Sequence, residues 1–447
     1  MNAPHNSPVH VIVHDREALA DLSPKLTYEL NERGRRLCDR WELLNTQHQQ
    51  LEEMLSSALA TSQYYRRLAT KGGFTPHDGL AAFHQLPLLT RSSYAMHLDQ
   101  IRVAARYSCY RDSTSGTSGS PIEVFRDSKS VFLESRRFAD ILKYYLGDPA
   151  RLRSGRMTIV YVSHYATSDE HVYEDPVLCA KIMKVRCDGG NLRGRLRSMG
   201  CELEDECFVL TGTVSSLLYL ATCEQALSGL PLAAAVLPSG EVLRVQARSI
   251  LEEAFLAPVA ELYTLRECGT IAFQCRCGPG LHVEADWFVM EVLDNDGRSV
   301  PDGTAGDLIV TDLTNSHVPL LRYATGDVGS LQWTKCVCGL SLPLLSGLSG
   351  RKPVYFAAAE GTLVDTATFA KHLERLPVLW YRVTQDASGE VNMEYCSTGT
   401  DVSGRMGALC SDLKLALGLA KTVNIRSVSM EEADLQGKSG GFIRSLP

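Results

Sequence analysis

Several features are missing from this chain of 447 residues, and each absence excludes a class of protein. No run of about 18 apolar residues occurs, so the sequence contains no candidate transmembrane helix. The net charge of -7 leaves no excess of basic residues for binding nucleic acid or an anionic membrane. Residues 1–14 lack the charged-then-apolar pattern of a secretion signal, so we expect an unexported, cytoplasmic protein.

The 14 cysteines do not indicate a disulfide framework. Disulfide-rich proteins are typically short and secreted, whereas this chain is long and 45% of its residues are hydrophobic. That content suffices for a large core and a second domain. Most of the cysteines stand alone and are expected to be buried free thiols, as at Cys38, Cys109, Cys179, Cys187 and Cys223.

Residues 113–121 have the composition of a ligand-binding loop. They read Ser-Thr-Ser-Gly-Thr-Ser-Gly-Ser-Pro and contain almost nothing that a core would bury. Glycines let the backbone approach a ligand closely, and hydroxyl and N–H groups bind phosphate. A flexible linker is the alternative, but the segment is short, and a strand pattern follows it at 122–125. The lysine of a Walker loop is absent. We expect a phosphate-binding loop formed by Ser113, Thr114, Ser115, Gly116, Thr117, Ser118 and Gly119.

The pattern of residues 207–267 predicts alternating strands and helices, which give a parallel sheet with right-handed crossovers. In such sheets ligands bind beyond the carboxyl ends of the strands. Ser239, Gly240 and Glu241 follow one predicted strand, and residues 263–267 end another, so we expect both at a site. The expected strands are 157–162, 208–212, 233–237 and 259–263, and the expected helices are 25–70, 131–145, 214–226 and 243–255.

The remainder of the chain predicts two further parts. Short alternating strands with turn signals between 283 and 334 indicate an antiparallel subdomain. The last part has strands and helices of its own. We therefore expect an α/β fold with a large N-terminal domain, residues 1–350, built from parallel sheets and the antiparallel subdomain. Residues 351–447 are expected to form a small, mobile α+β domain.

Cysteines cluster around the predicted antiparallel subdomain. Cys275 and Cys277 precede it together with His282, and Cys336 and Cys338 follow it. Thiolates and one imidazole suit a tetrahedral zinc site, which would join the two ends of this region. The alternative is an exposed cluster of reduced thiols without metal. A site closed by four protein ligands would be structural rather than catalytic.

Four segments follow the loop in an order that resembles the adenylate-forming superfamily of acyl- and aryl-CoA ligases. They are residues 263–267 (Tyr-Thr-Leu-Arg-Glu), 321–327 (Leu-Arg-Tyr-Ala-Thr-Gly-Asp), 350–351 (Gly-Arg) and 437–438 (Gly-Lys). The chain is most similar to the phenylacetate-CoA ligase-like branch, which includes coenzyme F390 synthetases. Segments 62–66 (Ser-Gln-Tyr-Tyr-Arg), 86–90 (Leu-Pro-Leu-Leu-Thr) and 306–314 (Gly-Asp-Leu-Ile-Val-Thr-Asp-Leu-Thr) extend the likeness over nearly the whole chain.

The resemblance implies ATP and Mg²⁺ as cofactors and assigns a role to each segment. The loop would hold the β- and γ-phosphates, and Glu267 would ligate Mg²⁺. Asp327 and Arg351 would bind the ribose, and Lys438 would bridge the carboxylate and the α-phosphate. The adenine would be framed by Ser239, Gly240, Glu241, Tyr263 and Thr264, with Tyr263 stacking on it. A similar pattern in F390 synthetase-like members implies Cys275, His282, Cys336 and Cys338 as zinc ligands, with Cys277 as a competing first ligand.

Two departures from the family pattern concern the reaction. Arg266 replaces the hydroxyl that normally touches the α-phosphate, and it would either bind phosphate bidentately or point to solvent. Pro353 stands where the family has its hinge residue, which puts the thioester-forming step in doubt.

The sequence thus predicts activation of a small aromatic carboxylic acid as its acyl-AMP and transfer to a thiol, most simply that of CoA. Tyr161, His164, Tyr165 and Gly212 are expected to line the acid pocket, although packing or surface roles are equally open to the first three. One alternative changes the acceptor to the phosphopantetheine of a carrier protein, an amine or nitrite. Another is a zinc-stabilised nucleotide-binding protein without catalysis. A homodimer is left open by the sequence.

Overall fold

The computed structural model describes residues 37–73, 75, 78–104, 109–113, 122–146, 157–163, 170–175, 178, 180–186, 190–201, 207–351, 355–358, 362–366, 369, 372–373, 376, 378–397, 401–418, 423–429, 432 and 441–444. Its helices are α1 (Arg40–Thr61), α2 (Gln63–Gly72), α3 (Leu80–Gln85), α4 (Arg91–Ile101), α5 (Ser128–Leu146), α6 (Leu192–Ser198), α7 (Val214–Thr222), α8 (Glu224–Leu227), α9 (Val245–Phe255) and α10 (Ser403–Ala416).

The strands of the first half are β1 (Cys109–Ser113), β2 (Glu123–Asp127), β3 (Met157–Ser163), β4 (His171–Asp175), β5 (Ala180–Arg186), β6 (Cys207–Thr213), β7 (Ala235–Ser239), β8 (Leu262–Leu265), β9 (Gly269–Gln274) and β10 (Leu281–Val283). Those that follow are β11 (Phe288–Leu293), β12 (Ala305–Asp312), β13 (Tyr323–Gln332), β14 (Leu344–Arg351), β15 (Tyr355–Ala357), β16 (Leu363–Asp365), β17 (Val378–Gln385), β18 (Val391–Ser397), β19 (Asn424–Ser427) and β20 (Gly441–Arg444).

A single 12-stranded sheet organises the larger part of the molecule, in the order β11-β12-β13-β14-β10-β9-β8-β7-β6-β3-β5-β4. The strands from β8 through β7, β6 and β3 to β5 run parallel, as the hydrophobic pattern predicts. From β8 outward through β9, β10, β14, β13, β12 and β11 the pairing is antiparallel. The α/β fold class is therefore confirmed, and the parallel and antiparallel parts are halves of one sheet.

Helices cover the parallel and the antiparallel half of this sheet and bury its apolar side chains. Core residues of α7 and α9 pack on the parallel strands, since Leu217 and Leu251 are fully buried among them. The N-terminal helices α1, α2 and α4 instead cover the antiparallel half, where Tyr65 and Leu55 join one core with Tyr323. None of the described helices is both long and apolar enough to cross a membrane.

The predicted elements differ from the observed ones mainly at their ends. The expected helix at 214–226 is interrupted at Cys223, whose backbone closes α7 by donating to Leu220. The expected strand at 259–263 forms only an isolated bridge at Val259, and regular pairing begins at Leu262. Of the helix expected at 25–70, the described portion contains α1 and most of α2, which meet at Ser62.

The part of the chain beyond β14 has its own four-stranded sheet, in the order β19-β18-β17-β20. Helix α10 packs on it, and Met406 and Leu413 are fully buried in their own cluster with Val383. Trp380 of β17 is also fully buried, but among the core residues of α7 and α9. This indole therefore joins the C-terminal sheet to the parallel half of the large sheet.

Candidate functional site

The carboxyl ends of β3, β6 and β7 meet at one edge of the sheet, because the three strands are parallel and in register. Tyr161 lies near the end of β3, opposite Thr211 of β6, and Gly212 is opposite the next residue, Val162. Ser239 ends β7 opposite Thr213. A Cβ on Gly212 would lie 2.5 Å from the carbonyl oxygen of Val162. Glycine is thus required for the close approach of the two strands there.

Glu241, expected to frame a base, is engaged by the N-terminus of α7. Its carboxylate accepts the Ser215 N–H at 2.7 Å and the Ser215 hydroxyl at 2.9 Å. The negative charge lies where the first N–H groups of a helix are unpaired, which is electrostatically favourable. Gly240 before it has a φ of +73°, a conformation that glycine permits. Glu241 therefore fixes the loop after β7 to α7.

Tyr263 and Asp327 come together although 64 residues separate them. The Tyr263 hydroxyl donates to Asp327 Oδ2 at 2.8 Å, and the Asp327 N–H donates to the Thr325 hydroxyl at 3.0 Å. Burial and the nearby Asp327 charge raise the pKa of Tyr263 well above its usual value, so it remains a donor. Asp327 stands opposite Arg351 in the β13–β14 pairing.

Glu267 follows β8 and is 6% exposed. The Tyr323 hydroxyl donates to Glu267 Oε1 at 2.8 Å, and Arg91 Nη1 lies 3.4 Å from the same oxygen. Within the described part of the chain, these two donors leave Oε2 without a hydrogen bond. A carboxylate with one anchored oxygen and one available oxygen fits a ligand for a hard cation such as Mg²⁺.

Arg322 holds the Arg91 segment against β13. Its φ of +51° is unusual for a residue with a side chain. Its guanidinium binds both carboxylate oxygens of Glu291, at 3.0 and 3.1 Å, and donates to the Leu86 carbonyl at 2.8 Å. Leu89 then donates its N–H to the Arg322 carbonyl at 2.9 Å. This clamp brings helix α4, which begins at Arg91, to Glu267.

Arg266 forms an ion pair within the protein, and its expected role at the α-phosphate stays a prediction. Its Nη1 lies 2.9 Å from Asp112 Oδ2, in a half-exposed ion pair. Asp112 belongs to β1, which pairs with β2 on the two sides of the predicted phosphate loop. The β8–β9 turn is thereby linked to the base of that loop. Burial raises the pKa of Tyr161. The nearby charge of Arg266 lowers this pKa, whereas those of Glu241 and Asp112 raise it.

A second group of functional side chains lies near the end of β9, on the side away from Glu267. One ligand atom each of Cys275, His282, Cys336 and Cys338 falls within 4.8 Å of all the others. The sulfurs of Cys275 and Cys336 are 3.7 Å apart, and Cys338 Sγ is 3.4 Å from His282 Nε2. Ligands of a tetrahedral zinc lie about 3.5–3.8 Å from one another, given zinc–ligand bonds of about 2.0–2.3 Å. The cluster therefore fits a metal ion.

The chemistry of the cluster agrees with its geometry. Burial lowers the pKa of His282 to about 4, so the imidazole is neutral and able to ligate. Cys277 is exposed and stands outside the group, although it is only two residues from Cys275. His282 lies on β10, while Cys275 follows β9 and the other two lie between β13 and β14. A bound metal would join these three places.

Some predicted site residues fall outside the described residues. These are Thr114, Ser115, Gly116, Thr117, Ser118, Gly119, His164, Tyr165 and Lys438, while Arg351 is described for its backbone alone. Ser113 ends β1 and is exposed, and Thr264 pairs with Thr270 in the β8–β9 hairpin. The nucleotide and substrate roles of all these residues stay predictions.

Three residues that contact the site were not singled out from the sequence. Tyr323 lies inside the quoted 321–327 segment, so its position could have indicated it. Arg91 directly follows the quoted 86–90 segment, but nothing in the local pattern connects it with Glu267. Asp112 directly precedes the loop and carried no signal of its own.

Relatives of the chain support this description of the fold. No protein-family model matches it. It is 41% identical over 73 residues to the phenylacetate-coenzyme A ligase of Thermus thermophilus, a match that spans 16% of each chain. It is 23% identical to Protein CapK of Staphylococcus aureus over 70% of this chain and 68% of that one.

Comparison with solved structures also supports this fold. The chain resembles 2-hydroxyisobutyryl-CoA ligase in its postadenylation state in complex with R3-HIB-AMP, with a TM-score of 0.65 and 16% identity. The match covers 89% of each chain. The resemblance to the adenylate-forming acyl- and aryl-CoA ligase superfamily is thus confirmed, and the chain has the fold of these enzymes.

Proposed function

We propose that the protein is an AMP-forming ligase that uses ATP and Mg²⁺ to activate a small aromatic carboxylic acid and passes the acyl group to CoA. The observation that carries the proposal is the meeting of Glu267 with Tyr323 and of Asp327 with Tyr263 beside the carboxyl edge of the sheet. The resemblance assigns Glu267 to the metal and Asp327 to the ribose, and the chain has the fold of this superfamily.

The proposed reaction is an attack of the acid's carboxylate on the α-phosphate of ATP, which releases pyrophosphate. Negative charge develops on phosphate oxygens, so positioning and electrostatic stabilisation matter more than an enzyme nucleophile. Mg²⁺ would neutralise part of that charge. Glu267 would hold the cation through its available oxygen, Asp327 would accept the ribose hydroxyls, and Tyr263 would orient Asp327. Arg266 would restrain the phosphate loop through Asp112.

The later transfer step is proposed to involve the C-terminal part. Residues 351–447 would act as a lid that carries Lys438 to the α-phosphate and then leaves the site for the thiol. Trp380 would have to be released from the core of α7 and α9 if the C-terminal sheet rotates as a body. The acid would lie near Tyr161 and Gly212, which are close to the carboxyl ends of the neighbouring strands β3 and β6.

A screen of acids and acceptors tests this function. Pyrophosphate release is measured across aryl, indolyl and aliphatic acids, each with and without CoA. We expect release with aryl acids, and CoA should convert slow or single-turnover release into steady turnover. Turnover supported by an amine, nitrite or a carrier protein but not by CoA would replace the proposed acceptor. Nucleotide binding without release for any acid would replace the enzyme by a nucleotide-binding protein.

We further propose that Cys275, His282, Cys336 and Cys338 hold a structural Zn²⁺. Three thiolates and a neutral imidazole favour zinc over harder cations. The four protein ligands complete a tetrahedron, so the ion would stabilise the antiparallel half of the sheet and would take no part in the reaction.

The zinc proposal predicts one zinc per chain by elemental analysis. Cys336→Ser is expected to abolish the bound zinc and to lower the thermal midpoint by roughly 5–10 °C, because a structural metal contributes several kcal/mol. Cys277→Ser is the matched control, since this neighbouring thiol is exposed and outside the cluster, and it should retain both zinc and stability. A chain purified without zinc, or equal losses in the two variants, would refute the assignment.

A further inference from the structure

Glu134 connects two parts of the candidate site that lie far apart in the sequence. It is on α5, and its Oε1 accepts the Thr270 N–H at 3.2 Å. Its Oε2 lies 2.5 Å from Nη1 of Arg126, a buried residue of β2. β2 is the strand on the far side of the predicted phosphate loop, and Thr270 is three residues after Glu267.

The turn after Glu267 is shaped to accept this carboxylate. Gly269 has a φ of +78°, and a Cβ on it would lie 2.4 Å from Glu134 Oε1. A side chain at this position would therefore meet Glu134 and would also strain the backbone. The absence of a side chain lets the carboxylate approach the backbone of the turn, so Glu134 fixes the turn that carries Glu267.

Charge keeps the Glu134 side chain in this place. Burial alone would raise the pKa of Glu134, but the charges of Arg126 and Arg137 lower it, so the carboxylate is ionised. Arg137 is fully buried, 4.9 Å from the Trp287 ring and 5.0 Å from that of Phe288. Glu134 therefore serves two purposes, as a counter-charge for two buried guanidinium groups and as an acceptor for the turn.

We propose that Glu134 is a positioning residue that holds the turn carrying the metal-binding carboxylate Glu267. It acts through the Thr270 N–H and through the space beside Gly269. This inference rests on the proposed function, since it takes Glu267 as the ligand of Mg²⁺. It follows that the gain in ATP affinity on adding Mg²⁺ depends on the length of the side chain at position 134.

Two substitutions separate this role from that of a counter-charge. Glu134→Asp keeps the charge for Arg126 and Arg137 but shortens the side chain, which withdraws the carboxylate from Thr270. Glu134→Gln keeps the reach and an oxygen acceptor but removes the charge. Glu394→Gln is the matched control, because it breaks a Glu–Arg ion pair with Arg426 of 2.6 Å in the C-terminal sheet.

The experiment measures ATP binding by calorimetry with and without Mg²⁺, in the absence of any acid, together with thermal midpoints. The gain in ATP affinity on adding Mg²⁺ should fall about tenfold in Glu134→Asp and stay within about threefold in Glu134→Gln. The thermal midpoint should fall more in Glu134→Gln than in Glu134→Asp, because the former removes the main counter-charge of two buried cations. Glu394→Gln should retain the Mg²⁺ response of the wild type.

Each remaining outcome decides between this inference and the proposed function. An unchanged Mg²⁺ response in both variants, or a larger loss in Glu134→Gln, would overturn the positioning role. A wild-type chain that binds ATP more tightly with Mg²⁺ but releases no pyrophosphate with any acid, together with the expected loss in Glu134→Asp, would overturn the ligase and support the positioning role. A wild-type affinity that does not respond to Mg²⁺ would overturn both.

Discussion

Glu267→Gln is expected to lower the rate of acid-dependent pyrophosphate release by roughly a hundredfold or more. Glutamine has almost the same shape, but it has no charge with which to hold a divalent cation against the phosphates. Glu267 is nearly fully buried beside Tyr323 and Arg91, so the amide would also face the Arg91 guanidinium without compensating it. Steady-state kinetics over a series of Mg²⁺ concentrations provide the measurement.

Tyr323→Phe shows how much of that loss comes from the hydrogen bond to Glu267 and how much from its charge. It removes the hydroxyl that donates to Glu267 Oε1 and leaves the charge of the carboxylate in place. We expect a reduction of about tenfold or less, since one neutral hydrogen bond is worth about 0.5–1.5 kcal/mol. Equal losses in the two variants would indicate that Glu267 acts only as a hydrogen-bonded structural residue.

Asp327→Asn is expected to raise the KM for ATP roughly 10- to 100-fold while changing kcat less. A carboxylate that accepts two ribose hydroxyls makes charge-assisted hydrogen bonds worth about 1.5–3 kcal/mol, and asparagine offers only a neutral acceptor. The substitution preserves side-chain size, and the amide oxygen can still accept the Tyr263 hydroxyl. Initial rates at varied ATP concentration separate KM from kcat.

Tyr263→Phe is the control for the Asp327 substitution. It retains the ring and removes the hydroxyl that orients Asp327 at 2.8 Å. A rise in KM of less than about tenfold is expected, because Asp327 keeps its charge and its backbone hydrogen bond to Thr325. An unchanged KM in Asp327→Asn would remove this carboxylate from the nucleotide site.

Much of the fold could be predicted from local patterns. The run from β6 to β8 and helix α5 follow from hydrophobic periodicity, since each element buries one face against its neighbours. The union of the parallel and antiparallel strands in one sheet could not be predicted. It depends on β8 pairing with β7 on one edge and with β9 on the other, and no local pattern specifies the second partner of a strand.

The site was predictable where a motif holds its own residues close together and unpredictable where distant segments meet. Glu267 and Asp327 were identified from the family-like segments that contain them. Arg91 was not, because 176 residues separate it from Glu267 and the contact depends on the Arg322 clamp. The same is true of Glu134, which lies 136 residues before the backbone group that it binds.

The cysteine cluster is an intermediate case. The sequence pattern indicated a metal cluster, and the resemblance implied its four ligands, with Cys275 and Cys277 as alternatives for the first. The structure favours Cys275, because the end of β9 turns its thiol toward Cys336 while the Cys277 side chain is exposed. Such a choice is decided by the direction of a strand end, which the spacing of residues does not contain.

In the proposed function, this site joins a carboxylate to the α-phosphate of ATP. Carboxylate-dependent exchange of labelled pyrophosphate into ATP, without CoA or any other acceptor, tests it most directly, because only reversible formation of an acyl-AMP returns the label. We predict exchange with at least one aryl acid, none without acid, and a loss of roughly a hundredfold or more in Glu267→Gln. Absence of exchange with every acid, or exchange that needs no acid, would contradict the claim.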